Sequence, residues 1–229
     1  MTTTRGHPPS LQPPAATWDD ARTAPYPRAK RVLDLVVGSL ALVVVAPTLA
    51  AIRIAMWVAG DKGPFLYRAQ RVGEGGRLVT ILKIRTMTPE AGGSALTSRD
   101  DDRVTRIGRI LRRYKFDEFP QLWNVVRGEM ALVGPRPEDP AYVDFNNPEH
   151  RRVFTARPGI TGLAQLAYRH EADLLVGEDA ERHYRETILP AKLKLDREYL
   201  DRRSVRLDVK ILGLTAASIV APRQRVDPT

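Results

Sequence analysis

The sequence predicts an α+β fold in which a kinked, re-entrant membrane helix precedes a compact, mostly helical domain with a small β-hairpin and amphipathic interfacial helices. Three observations support this prediction. Residues 35–52 carry no charge, alternating side chains flank the turn GEGG at 73–76, and apolar residues recur at helical spacing through much of the remainder. We expect a disordered tail at 1–27, a membrane hairpin at 28–60, the compact domain at 61–220 and a tail at 221–229.

The composition narrows the classes of partner and of chemistry. The chain has 229 residues, with 36 Lys and Arg against 27 Asp and Glu, which gives a formal net charge of +9. Such an excess favours an anionic partner, whether nucleic acid, anionic lipid or a phosphorylated substrate. The absence of cysteine excludes disulfides, zinc–thiolate sites and cysteine nucleophiles. The first 20 residues lack an apolar stretch, so we expect no cleavable signal peptide.

The uncharged stretch at 35–52 is about 18 residues long, the usual threshold for a membrane helix. A buried core helix is disfavoured because the stretch is apolar on every face, which leaves a full span or a re-entrant hairpin. Pro47 removes a backbone hydrogen bond near the middle and predicts a kink. Basic residues, which mark the cytoplasmic side, flank both ends: Arg28, Lys30 and Arg31 before it, and Lys62, Arg68 and Arg71 after it. Both ends therefore favour the same side, with Asp34 and Arg53 at headgroup depth.

Residues 64–87 indicate two short strands joined by the GEGG turn. Period-2 alternation in the second strand places Lys83 and Arg85 on one face. A helix is expected from Arg103, with an apolar stripe and a separate basic face formed by Arg103, Arg106, Arg109 and Arg113. The basic face fits either plain exposure to solvent or contact with anionic headgroups.

Two adjacent carboxylates, Asp117 and Glu118, follow this helix in the string RRYKFDEFPQLWNVVRG at 112–128. We expect Asp117 to be the N-cap of a second helix, with Pro120 in its first turn. Neighbouring helical residues do not face each other, but both can reach a ligand beyond the helix N-terminus, which favours anions. An ionised Asp can act as a nucleophile, a Glu can hold a divalent cation, and Arg112 can neutralise a phosphoryl group. The alternative is an ordinary capped helix start, which is very common.

Two Pro/Gly-rich strings, LVGPRPEDP at 132–140 and RPGITGLAQL at 157–166, each hold an arginine among residues that restrict the backbone. Arg136 and Arg157 are therefore candidates for rigidly held cations. Residues 174–201 are expected to be helical and carry Asp196 among basic and aromatic neighbours. The C-terminal stretch LDVKILGLTAASIVA is amphipathic and can lie against the core or a bilayer.

Several strings occur in a fixed order over roughly residues 30–215. They are KRVLDLVVGSLALVVVAPTLAAI, DKGPFLYRAQRVGEGG, ILKIRTM, VTRIGRILRRYKFDEFPQLWNVVRGEMALVGPRPE, RPGITGLAQL, and KLKLDREYL followed by LDVKIL. Together they resemble the bacterial sugar transferases, the monotopic polyprenyl-phosphate phosphoglycosyl transferases, in their small single-domain form. The string DEFPQLWNVVRGEMALVGPRP combined with RPGITGLAQ is highly specific for this family.

The resemblance implies an enzyme that transfers a phospho-sugar from a nucleotide diphosphate sugar, usually a UDP-sugar, to polyprenyl phosphate. It implies a catalytic domain on the cytoplasmic face of the bacterial inner membrane, at the first membrane step of glycoconjugate assembly (exopolysaccharide, O-antigen or glycoprotein glycan). Membrane lipids would be partners, nucleic acid would not, and a homodimer stays open. The alternative is a membrane-tethered module that binds nucleic acid or anionic lipid. It is disfavoured because its second helix would present Asp117, Leu122 and Trp123 rather than base-reading side chains.

The resemblance also implies roles for individual residues. Asp117 would be the nucleophile that forms a covalent phospho-sugar intermediate, and Glu118 would accompany Mg²⁺. The phosphate-binding set would be Arg112, Arg157 and Arg136, and the nucleotide would contact Lys83 and Arg85. Asp196 matches a recurrent acidic position of unassigned role.

Two departures from the family pattern have consequences. Ala46 stands where many members have Ser before the kinking proline, which leaves the kink angle open. The string AYRHEADLL at 167–175 replaces a common Asn-Gly-Arg-Asn, which leaves the identity of the sugar open.

Overall fold

The computed structural model describes residues 27–88, 96–97, 101–175 and 179–220. Apart from Pro27, the tails predicted at 1–27 and 221–229 lie outside these residues. The helices are α1 (Arg28–Val58), α2 (Arg106–Tyr114), α3 (Gln121–Arg127), α4 (Pro148–Val153), α5 (Leu163–Ala167), α6 (Ala180–His183), α7 (Leu189–Arg202) and α8 (Val205–Val220). The strands are β1 (Leu66–Val72), β2 (Leu78–Ile84), β3 (Ala131–Val133) and β4 (Gly159–Thr161). Helices mixed with small strands confirm the predicted class in its coarse form.

Helix α1 has 31 residues and runs through Pro47 without a break in its helical assignment. It is a candidate membrane helix by length and composition, and only 6% of its most apolar window is buried. The helix nevertheless packs against the rest of the chain on both sides of Pro47. Before it, a Cβ atom on Gly38 would lie 3.2 Å from Val125 Cγ1 on α3. After it, Ile52 and its neighbours pack against Ile84 and Leu111. The bend angle at Pro47 stays a prediction.

The N-terminus of α1 is anchored by buried polar contacts. The Lys30 ammonium donates to the Val133 carbonyl at 2.8 Å, to the Tyr199 hydroxyl at 3.0 Å and to the Asp208 carboxylate at 2.5 Å. Asp34 accepts from the backbone N–H of Leu132 at 3.1 Å. Asp34 is therefore buried against β3. Its place at headgroup depth stays a prediction.

The predicted hairpin is confirmed. Strands β1 and β2 pair antiparallel, from Leu66 opposite Ile84 to Val72 opposite Leu78. Their turn contains Gly75 and Gly76, both with positive φ, a backbone region that glycine enters without steric cost.

A second sheet was not predicted. Strands β3 and β4 pair in parallel, with Ala131 opposite Gly159 and Val133 opposite Thr161. This pairing joins the two Pro/Gly-rich strings side by side. A Cβ atom on Gly159 would lie 2.1 Å from the backbone nitrogen of Gly134, so the close approach requires glycine.

The segment from Arg103 to α3 differs from the prediction in two respects. Helix α2 starts after its N-cap Thr105, whose hydroxyl accepts from Gly108 N at 2.9 Å. Arg103, predicted as the first residue of the helix and part of its basic face, lies before the N-cap and pairs with Asp101. Lys115 then adopts a left-handed conformation and Phe116–Glu118 form a 3₁₀ turn. Asp117 lies inside that turn, and the N-cap position of α3 falls to Pro120, so the prediction of Asp117 as N-cap was wrong. Gly128, with φ 83°, ends α3 as predicted.

Candidate active site

The two adjacent carboxylates occupy different environments within the 3₁₀ turn. Asp117 is buried, and its Oδ1 atom has no hydrogen-bond partner. Glu118 accepts a hydrogen bond at 2.9 Å from the ammonium of Lys83, which projects from β2. A buried polar atom without a partner costs free energy, so the unpaired Oδ1 is an unusual feature that calls for a ligand or a reaction.

The pKa values of Asp117 and Glu118 are shifted in opposite directions. A helix N-terminus, which favours anions, does not by itself predict this difference. Burial raises the pKa of Asp117, and the negative charge of Glu118 raises it further. Burial would also raise the pKa of Glu118. The positive charges of Lys83, Lys115 and Arg136 outweigh that effect and hold its pKa below the usual range. Two carboxyl groups with diverging pKa values are suited to different roles, with Glu118 ionised throughout and Asp117 the more basic oxygen donor.

Four cations surround the two carboxylates. Lys83, Lys115 and Arg112 act on both carboxylates, and Arg136 acts on Glu118. The Arg112 guanidinium is fixed by a 2.8 Å hydrogen bond from Nε to Thr86 Oγ1. The predicted Arg112, Arg136 and Lys83 are thus brought together. Lys115 was missed as a site residue, because its left-handed backbone and its effect on both carboxylates are not visible in the local sequence pattern.

Arg136 connects the site to a second layer of buried polar groups. Its backbone N–H donates to Asp196 Oδ2 at 3.2 Å, which links the Pro-Arg-Pro loop to α7. The other oxygen of Asp196 is buried without a partner. Burial raises the pKa of Asp196 to about 8, against the lowering effect of the Arg136 N–H. Asp196 therefore supports the loop that carries Arg136.

Behind Arg136, a buried network centres on Lys192, whose side chain is 1% exposed. Its ammonium lies 2.7 Å from the Glu138 carboxylate and 3.1 Å from that of Glu171. It also donates to the Tyr184 hydroxyl at 2.8 Å, which in turn donates to Glu138 at 2.8 Å. Tyr184 opens a π-helical turn between α6 and α7, a feature often found at functional sites. Sequence reasoning missed this network, since its members are far apart in the chain.

The remaining predicted residues lie in other contacts. Arg85 comes just after β2, where it donates to the carbonyls of Pro64 and Met87 at 2.8 Å and pairs with Asp61. Arg157 faces the hairpin turn, 3.3 Å from the Glu74 carboxylate. Their roles toward nucleotide and phosphate stay predictions, since these contacts do not join them to the carboxylate pair.

The carboxylate pair provides some of the oxygen ligands that Mg²⁺ needs, but not a complete set. Among the described residues no group of three or more His, Cys, Asp or Glu forms a ready-made metal site. Mg²⁺ commonly uses one or two carboxylates together with substrate phosphates, and the unpaired Asp117 Oδ1 beside the ionised Glu118 supplies oxygen donors of that kind. The site is therefore compatible with Mg²⁺ that arrives with a phosphorylated substrate.

Comparison with known proteins identifies the family. The family model described as "Bacterial sugar transferase" matches residues 26–222. The chain belongs to the bacterial sugar transferase family. This membership confirms the resemblance and the prediction of an enzyme of the polyprenyl-phosphate phosphoglycosyl transferase class.

Three relatives illustrate the similarity. The UDP-glucose:undecaprenyl-phosphate glucose-1-phosphate transferase of Caulobacter vibrioides is 38% identical, over 94% of this chain and 80% of that protein. The undecaprenyl-phosphate glucose phosphotransferase of Komagataeibacter xylinus is 38% identical over 81% of this chain and 35% of that protein. The Escherichia coli K12 enzyme, which has the same name as the Caulobacter one, is 34% identical over 81% of this chain and 39% of that protein. The chain therefore spans most of one relative and little more than a third of the two others.

Proposed function

We propose that this sugar transferase moves a phospho-sugar from a UDP-sugar to polyprenyl phosphate through a covalent intermediate on Asp117. The observation that carries the proposal is the unpaired, buried Asp117 oxygen with four cations around the carboxylate pair. Such a site attracts a diphosphate and offers it a nucleophile. The named relatives, which act on undecaprenyl phosphate and in two cases on UDP-glucose, support the donor and acceptor classes.

The proposed reaction has two steps. First, an Asp117 oxygen bonds to the phosphorus next to the sugar, and the bond from that phosphorus to the oxygen of the nucleoside monophosphate breaks. The electron pair leaves with the nucleoside monophosphate. Second, an oxygen of polyprenyl phosphate bonds to the same phosphorus and releases the Asp117 carboxylate. The roles of Arg112, Arg136 and Lys83 are to bind the diphosphate and to neutralise charge on the transferred group.

Mg²⁺ is part of the proposal. Glu118 would hold it together with oxygens of the donor diphosphate, and the ion would neutralise phosphate charge while bound. Glu118 is suited to this because the surrounding cations keep it ionised.

We further propose that α1 is re-entrant and places the domain on the cytoplasmic face. Its two halves pack on the same domain, which supports a helix with both ends on one side. Its outward face is apolar, with more than half of each side chain exposed at Val32, Val36, Leu40, Val43, Val44, Ile54, Trp57 and Val58. An exposed apolar surface of this extent is suited to lipid.

The function is tested by the release of UMP. Membranes that contain the enzyme are incubated with Mg²⁺ and a panel of UDP-sugars labelled at the phosphate next to the sugar. We expect one donor to label the protein without acceptor, and the label to move to lipid when polyprenyl phosphate is added. EDTA should stop both steps. No UMP release from any donor would refute the activity, and release without labelled protein would refute the aspartyl intermediate.

The membrane arrangement is tested by single cysteines, since the natural chain has none. Arg28→Cys and Lys62→Cys lie at the two ends of α1, and both positions are exposed. A re-entrant helix predicts that neither reacts with an impermeant maleimide in sealed cells and that both react in inverted vesicles. Detergent-permeabilised cells provide the control for reactivity. Labelling of one position alone in sealed cells would establish a full span instead.

A further inference from the structure

Lys115 has an unusual backbone for its residue type. Its φ of 60° makes it the one non-glycine residue with positive φ within the described part of the chain. The left-handed region costs an L-residue free energy, and glycine or asparagine normally occupies it. Such residues cluster at functional sites, where the surrounding structure holds them in place.

The backbone at this position does not itself require lysine. The Lys115 N–H donates to the Arg112 carbonyl at 3.2 Å and ends α2. Its carbonyl accepts from Glu118 N at 3.2 Å and starts the 3₁₀ turn. Glycine would make both hydrogen bonds with less strain. The reason for lysine must therefore lie in its side chain.

The side chain places an ammonium beside both carboxylates. It lowers the pKa of Asp117 and that of Glu118, so it lies close to each. Glu118 already has a hydrogen-bonded partner in Lys83. Among the described residues the Lys115 ammonium donates no hydrogen bond, and the neighbouring Asp117 Oδ1 accepts none. A half-buried ammonium with unused donors beside an unpaired nucleophile oxygen leaves both groups available to the same incoming molecule.

We propose that Lys115 is a phosphate-binding residue whose ammonium donates to an oxygen of the phosphoryl group that Asp117 attacks. This inference rests on the proposed function and adds a residue to it. In the first step the Asp117 oxygen bonds to phosphorus, the bond to the nucleoside monophosphate breaks, and Lys115 keeps its proton throughout. In this proposal the left-handed backbone directs the ammonium toward the reacting group, where it acts together with Arg112, Arg136 and Lys83. Four cations against two carboxylates leave positive charge in excess, as a bound diphosphate requires.

Three substitutions distinguish the contribution of the Lys115 charge from that of its left-handed backbone. Lys115→Gly removes the ammonium and keeps the left-handed turn, Lys115→Arg keeps a cation, and Lys115→Ala loses the charge while the strain stays. The measurement is the rate of UMP release in the first step, without acceptor, as a function of donor concentration. We expect Lys115→Gly to lower kcat/KM by roughly 10- to 100-fold, the usual effect of losing a hydrogen bond to a charged group. Lys115→Arg should recover part of the loss. Thermal melting should place Lys115→Gly at or above the wild type and Lys115→Ala below it.

The matched control is Arg113→Ala, which removes an exposed cation two residues earlier and should leave kcat/KM within about twofold of the wild type. Binding of UDP, measured by calorimetry, gives a readout independent of turnover, and Lys115→Gly should bind it more weakly than Arg113→Ala. If the wild type releases UMP and Lys115→Gly matches it in both kcat/KM and UDP affinity, the inference is overturned and the proposed function stands. If the wild type releases no UMP from any donor, the proposed function itself fails.

Discussion

Replacement of Asp117 by Asn is expected to reduce turnover by about 10⁴-fold or more and to abolish the labelled protein intermediate, as loss of a nucleophile does in enzymes that form covalent intermediates. The amide keeps the size of the side chain and removes the nucleophilic oxygen. Steady-state UMP release with polyprenyl phosphate present measures the loss, and gel analysis of the labelled protein measures the intermediate.

The same substitution gives a stability result that separates chemistry from folding. Burial and Glu118 raise the pKa of Asp117, so its ionised form is disfavoured in the folded protein. Stability is therefore lost as the pH rises through the folded pKa, and a neutral Asn does not suffer this loss. Asp117→Asn should melt at or above the wild-type temperature at pH 8, and the difference should shrink toward pH 4.

Asp201→Asn is a matched control, since it changes an exposed aspartate in a surface ion pair with Arg152. We expect it to leave turnover unchanged and melting almost unchanged. An Asp117→Asn enzyme with activity near that of the wild type would remove the aspartyl intermediate from the proposal. A strongly destabilised Asp117→Asn protein would contradict the electrostatic description of the site.

Local pattern indicated several of the candidate residues, and the family resemblance supplied their expected roles. Arg112, Asp117 and Glu118 lie within one short string, so any helix and turn there keep them together. Period-2 alternation placed Lys83 on the second strand of the hairpin, which the structure contains as β2, and the family resemblance supplied its expected role. The contacts of Arg85 could not be predicted from local pattern. It follows the last residue of β2, and its contact with Asp61 depends on how the segment after α1 returns to the hairpin.

Features that depend on tertiary structure could not be predicted from the local sequence pattern. Strands β3 and β4 have three residues each, and proline and glycine around them conceal the alternation. The left-handed conformation of Lys115 overrides the expectation that Asp117 caps the next helix, because it redirects the chain before α3 begins. Glu138 and Lys192 are far apart in sequence, and only the packing of α7 behind the Pro-Arg-Pro loop brings them together.

The Lys192 network carries the largest expected effect on stability. Lys192→Met is expected to lower the free energy of unfolding by about 3–5 kcal/mol, the usual cost of removing one partner from a buried ion pair. Methionine has a similar length, so the cavity is small and the loss comes from the uncompensated charge of Glu138. Chemical denaturation measures the change. Lys194→Met, at an exposed position on the same helix, is the control and should stay within about 0.5 kcal/mol of the wild type.

The pH dependence identifies the cause of that loss. Burial would raise the pKa of Glu138, but Lys192 and Arg136 outweigh it and hold the pKa below its usual value. Glu138 therefore stabilises the wild type at neutral pH, and this contribution is lost as the pH falls through its folded pKa. Without Lys192 the folded pKa of Glu138 rises, so the penalty should be largest at neutral pH and shrink on acidification. Adding Glu138→Gln to Lys192→Met should recover part of the stability, because the buried charge is then gone. If the double variant lost as much free energy of unfolding as the two single variants together, Glu138 and Lys192 would act independently. The pair would then not explain how the loop that carries Arg136 is held in place.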